Sequence, residues 1–227
     1  MAEARRRFPR AVGVVAFDDY PASLLSLAIA NSLKLPGASL QSALTASHKV
    51  WSRVIQREVA RASVPRFQVI DPRRNYRLTD LELAFPFWLK PVKGAMSFLG
   101  RRIGNLAELH DALERARREL PAYARAFNEL LSMTPAPING RLGAVRGDWL
   151  IAEELMKGHQ CTLDGLMING RFNLLGIVDS IRTPNRLSFG RFELPSRLPR
   201  RDQQQLAHIA ERVMLHLGYH HGLFNME

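Results

Sequence analysis

Residues 85–103 read Phe85-Pro86-Phe87-Trp88-Leu89-Lys90-Pro91-Val92-Lys93-Gly94-Ala95-Met96-Ser97-Phe98-Leu99-Gly100-Arg101-Arg102-Ile103. An apolar run leads straight into a lysine, and a proline stops the run. A small-residue segment with a second lysine and a serine follows. A lysine at the end of a buried strand is costly unless an anion meets its ammonium. The glycine, alanine and serine beyond it can bring backbone N–H groups close to that anion, as phosphate-cradling loops do. The passage reads as a strand and flexible loop suited to a polyphosphate. Many strands end in Lys-Pro, so the stretch has to be weighed with its neighbours.

Working outward, Val/Phe content predicts a strand over 11–17, closed by Asp18 and Asp19. Helical spacing follows over 23–33, over a short segment at 39–46, and over 49–60, where Val50, Val54 and Val59 oppose Arg53 and Arg57. Phe67-Gln-Val-Ile70 is a strand. After Lys90 a further strand is expected at 97–103. Asn105-x-x-Glu108 is a capping box opening a helix to about residue 120, where Pro121 ends it. Residues 133–147 hold several prolines and glycines and read as loop. Residues 149–155 form a strand. Residues 162–168 and 171–178 form a hairpin through Asn169-Gly170. A proline-punctuated loop over 194–199 precedes a helix capped by Asp202 and ended by Gly218, and a strand begins at 223. This order fits α+β with two sheets better than one doubly wound sheet.

The chain has 227 residues, enough for a real core, and ordinary hydrophobic and charged fractions. Its formal charge of +11 admits nucleic acid, an acidic surface or a phosphorylated small molecule. The arginines are scattered instead of lining one helix with interleaved aromatics, which argues against nucleic acid. A single cysteine, Cys161, excludes an internal disulfide and points to the cytoplasm. No apolar run approaches the ~18 residues of a membrane span.

Four places carry possible chemistry: Lys49, Lys90, Glu153-Glu154 and Glu227. Lys49 opens a helix and can face a ligand, although taken alone it reads more readily as a surface lysine. The strand 151–158 leaves its apolar run at two carboxylates and turns at Gly158, where backbone groups can pair with an adenine edge. Glu227 can hold Mg2+ against phosphate oxygens, but such an ion takes one or two carboxylates and only one is in view. Neither G-x-x-x-x-G-K-[ST] nor G-x-G-x-x-G occurs. His216, His220 and His221 are interrupted by Gly218. Cys161 has no base beside it in sequence, and no nucleophile elbow is present.

In this order the four places resemble the ATP-grasp superfamily, in its carboxylate–amine ligase branch (amino-acid ligases and the carbamoyl-phosphate synthase ATP domain). His48-Lys49 with Arg53 looks like its lysine-bearing helix. Trp88-Leu-Lys90-Pro91-Val with Gly94 and Ser97 is similar to its second nucleotide lysine and phosphate-covering loop. Glu153-Glu154-Leu-Met156-Lys-Gly158 looks like its adenine hinge, and Phe224-Asn-Met-Glu227 like its first metal strand. Gln160 stands where relatives often carry a ribose-binding glutamate. The resemblance implies an ATP-grasp domain over 47–227, with a lid-like part at 85–151 and an incomplete central sheet at 152–227. A partial pre-ATP-grasp α/β domain would occupy 1–46, and both ends look short. It further implies ATP-dependent carbon–nitrogen ligation through an acyl phosphate, on an amino acid or similar small carboxylate. Lys90 and Arg182 would act in catalysis, with Arg191 a further arginine for substrate carboxylate. Lys49, Lys90, Lys93, Ser97, Glu153, Glu154, Met156 and Gln160 would bind ATP, and Glu227 would bind Mg2+. ATP and the small substrates are the implied partners, with no membrane and with a homodimer allowed. The rivals are a nucleotide-binding fragment or pseudo-enzyme without ligase activity, and a basic nucleic-acid module.

Overall fold

Residues 2–134, 144–183 and 189–227 are described by the computed structural model. Among them the strands are β1 (Phe67–Ile70), β2 (Phe87–Pro91), β3 (Arg101–Ile103), β4 (Leu150–Glu154), β5 (Cys161–Ile168), β6 (Arg171–Arg182), β7 (Phe189–Glu193) and β8 (Gly222–Met226). The α-helices are α1 (Ala2–Arg7), α2 (Leu24–Leu33), α3 (Leu40–Ser47), α4 (Lys49–Ala60), α5 (Leu106–Tyr123), α6 (Arg125–Ser132) and α7 (Arg200–His216). The strands form two antiparallel sheets, ordered β1-β4-β2-β3 and β7-β6-β5-β8.

Both faces of the first sheet are covered. On one, Ile70, Phe87, Leu89, Ile103, Leu150 and Ala152 pack on Leu109, Leu113, Ala116 and Leu120. Those four recur at helical spacing and form the inner stripe of α5. On the other face, Ile151 and Val92 meet Val50 and Trp51 from the first turn of α4. The alternation within β2 therefore sends Leu89 to the α5 core and leaves Lys90 on the side of α4.

The second sheet rests Leu163 and Ile177 on Ala210 of α7, while Met167 joins Val213 and Met214 in a core shared with α2 and α4. Its hairpin turns at Asn169 and Gly170, both at positive φ (51° and 75°), as an Asn-Gly turn requires.

Four expectations are corrected. Residues 11–17 form no strand; Val12, Val15 and Phe17 are exposed, and no described strand lies beside them to take their hydrogen bonds. The strand expected at 97–103 shrinks to β3, because Met96, Ser97 and Leu99 sit at positive φ and turn the chain. α5 continues through Pro121 to Tyr123: the missing N–H falls in the last turn, and the Ala124 N–H still closes on the Leu120 carbonyl. α7 begins at Arg200 after Pro199, so Asp202 lies in its first turn, where its charge favours the helix, without being the cap. Of the loop expected at 133–147, residues 135–143 lie outside the described residues. β7 and α6 had no counterpart among the expectations.

Candidate functional site

His48 decides where Lys49 stands. Its Nδ1 accepts the Trp51 N–H at 3.2 Å, which caps α4, and its Nε2 donates to the Val145 carbonyl at 3.0 Å. Burial lowers the imidazole to about 4, so the cap is neutral at ordinary pH. Lys49 is then the first helical residue. Its N–H donates to the Val92 carbonyl at 3.1 Å and its Nζ to the Gly94 carbonyl at 2.7 Å. The start of α4 is thereby stitched to the end of β2 and to the loop that follows. Burial, together with the ammonium groups of Lys90 and Lys93, pushes Lys49 down to about 7 against the pull of Glu227 and Glu153. Five predicted site residues thus share one electrostatic neighbourhood, drawn from α4, β2 and its loop, β4 and the end of β8.

Lys90 meets its anion inside the protein. Its Nζ lies 2.6 Å from Glu153 Oε2, and Arg53 Nε lies 2.6 Å from Glu153 Oε1. The register sets Trp88 opposite Glu153 and Lys90 opposite Ile151, so the ion pair runs diagonally across β2 and β4. The Glu153 side chain is only 3% exposed. Burial pushes its carboxyl up, yet Lys90 and Arg53 outweigh this and hold it below its ordinary range. The polyphosphate expected at Lys90 therefore competes with a carboxylate already seated there.

The other predicted residues are distributed more widely. The Lys93 ammonium sits 4.7 Å from the centre of the Tyr20 ring and 5.7 Å from that of Phe127. It is buried and depressed by desolvation, with Asp19 pulling the other way. Ser97 borders a hollow of about 280 Å3 with Leu89, Ala112 and Ala116, on the α5 side of the sheet and away from Lys90. Glu154 is exposed at the end of β4, where its N–H donates to the Arg66 carbonyl. Met156 is exposed in the connection to β5. Gln160 and Arg182 come together: Arg182 Nε donates to Gln160 Oε1 at 2.9 Å, and the guanidinium lies over Phe189. Arg191 is paired with Glu193.

The contact of Arg53 with Glu153 was not expected, and Asp179, on the second sheet, had no place among the expectations. Arg53 shares a helix face with Lys49 at i+4, and that spacing is the available signal. Asp179 is fully buried on β6; it accepts from Ser196 Oγ and the Arg197 N–H and pairs with His159 at 2.9 Å. Burial raises its carboxyl, but these donors prevail and bring it to about 2. An aspartate inside Ile177-Val-Asp-Ser-Ile181 is the corresponding sequence signal, since a buried carboxylate must be partnered.

Among the described residues, no group of three or more His, Cys, Asp or Glu could hold a metal ion. Glu227 offers one carboxylate, which fits only an ion that takes its other oxygens from phosphate and water. Around Lys49 the cations outnumber the carboxylates, and the surplus favours an anion.

No family model and no curated protein matches the chain by sequence. Solved structures do match. The L-amino acid ligase from Bacillus licheniformis is 20% identical with a TM-score of 0.71, over 99% of this chain and 46% of that one. A biotin carboxylase–ATP-analogue complex from Campylobacter jejuni is 16% identical, TM-score 0.70, over 99% and 47%. The D-alanine–D-alanine ligase from Bacillus anthracis complexed with ATP is 16% identical, TM-score 0.59, over 88% and 55%. The chain spans about half the length of these structures. The chain shares the fold of these enzymes, the ATP-grasp fold.

Proposed function

We propose that the chain is the nucleotide-holding part of an ATP-dependent carboxylate–amine ligase acting on an amino acid or similar small carboxylate. The observation that carries this reading is the convergence of Lys49, Lys90 and Lys93 with Glu153 and Glu227 from elements of both sheets. The first sheet with α5 is read as the lid and the second as part of the central sheet. In the proposed reaction a substrate carboxylate oxygen attacks the γ-phosphorus, the bond to the bridging oxygen breaks, and ADP leaves. The amine then attacks the acyl carbon, phosphate departs, and the amine nitrogen gives up its proton. Lys49 and Lys90 neutralise the developing negative charge, and positioning does most of the rest. Mg2+, bound through phosphate oxygens and Glu227, would add further neutralisation. Arg182, held by Gln160 and Phe189, is the proposed contact for substrate carboxylate.

The test is phosphate release from ATP on adding amino acids singly and in pairs. The expected outcome is release that depends on both an acid and an amine. ATP-dependent thermal protection with no release under any pair would refute ligation while leaving nucleotide binding standing.

A further inference from the structure

The peptide joining Gly94 to Ala95 is gripped at both of its polar ends. Its carbonyl accepts from Lys49 Nζ at 2.7 Å, and its N–H donates to Tyr123 Oη at 3.0 Å. In a planar trans peptide these groups point in opposite directions. The carbonyl therefore faces the lysines, and the N–H faces away, toward the end of α5. An anion arriving at Lys49 meets an acceptor oxygen where a cradling loop would offer a donor.

Tyr123 is itself firmly placed. Its ring stacks on Phe98 with centroids 4.5 Å apart, and its carbonyl accepts from Tyr20 Oη at 2.9 Å. Tyr20 Oη in turn accepts the Phe127 N–H at 3.3 Å, and the Lys93 ammonium lies over the Tyr20 ring. The loop is less comfortable than its anchor. Met96, Ser97 and Leu99, none of them glycine, sit at φ of 50°, 58° and 54°, a region that side chains disfavour. Gly94, with no Cβ, leaves the rotation at its end of the peptide the least hindered.

We propose that Tyr123 is a positioning residue for the phosphate loop, and that a polyphosphate flips the Gly94–Ala95 peptide. The flip moves the Ala95 N–H from Tyr123 Oη to a phosphate oxygen and withdraws the carbonyl from Lys49. Two hydrogen bonds are exchanged for two, and Lys49 is released to pair with phosphate. Because burial has brought Lys49 to about 7, its release to an anion is accompanied by proton uptake. The proposal rests on the nucleotide reading of the same site.

The test compares wild type, Tyr123→Phe and Gly94→Ala, each 15N-labelled, titrated with β,γ-methylene-ATP and with adenosine. Tyr123→Phe keeps the ring stack but loses the outward hold, and its affinity for the ATP analogue rises roughly fivefold, the worth of one neutral hydrogen bond. Gly94→Ala, whose added Cβ would come within 3.3 Å of Pro91, binds the analogue more weakly. Adenosine binds all three alike, and only the analogue shifts the wild-type Ala95 amide resonance. Equal analogue affinity in wild type and Tyr123→Phe, or an unmoved Ala95 amide on binding, overturns the flip while the nucleotide reading survives. Failure of wild type to bind the analogue overturns both.

Discussion

Lys49 shows how burial and charge set a single residue's behaviour. In the folded chain it titrates near 7, whereas in the unfolded chain it keeps its proton to about 10.5. Between those values the unfolded chain binds more protons, so stability rises with pH across that window, and below about 7 the full penalty is present. Lys49→Met should flatten this rise, so urea midpoints at pH 7 and pH 9 should differ more for wild type than for the variant. Equal differences would contradict the burial argument. Lys49 and Lys90 were legible because each stands at a junction, one opening a helix and the other closing an apolar run. The partner of Lys90 was not legible. Glu153 lies far along the chain, and only the β2–β4 register brings its carboxylate to 2.6 Å. Lys93 reads like a second loop lysine, yet the Tyr20 and Phe127 rings that enclose it belong to other elements.

At the scale of elements, local signals succeeded where the chain answers to itself. The Asn105–Glu108 capping box opens α5, with the Asn105 side chain accepting the Glu108 N–H at 2.9 Å, and Asn169-Gly170 turns the hairpin. They failed where a neighbour decides. Residues 11–17 have strand-like composition but no described strand to pair with, and α6 begins after Ala124 with no side-chain cap to announce it. β5 shows the cost of a close neighbour. A Cβ at Gly165 would come within 2.2 Å of the Phe224 ring on β8, and that ring is packed against Phe172. Gly165→Ala should therefore destabilise the second sheet by about 1–3 kcal/mol, the usual range for overpacking. Chemical denaturation measures this, and an unchanged midpoint would mean that the ring yields freely.

For the molecule as a whole, α4, β2 and β4 meet at Lys49, Lys90, Arg53 and Glu153, and Glu227, just past β8, adds its charge to that group. The α+β class with two sheets was readable from strand order and hairpin chemistry. The seating of the Glu153 carboxylate against Lys90 was not. On the proposed reading, nucleotide binding is an exchange of partners, with Arg53 left to hold Glu153 when Lys90 turns to phosphate. The most direct test is calorimetric titration of wild type and Lys90→Met with ATP and with adenosine, with folding monitored by thermal melts. Lys90→Met keeps the side-chain stem and leaves Glu153 its arginine. ATP should bind wild type and should bind the variant at least about tenfold more weakly, as loss of a charged hydrogen bond requires, while adenosine affinity is unchanged. Equal ATP affinity in a folded Lys90→Met variant would contradict the account.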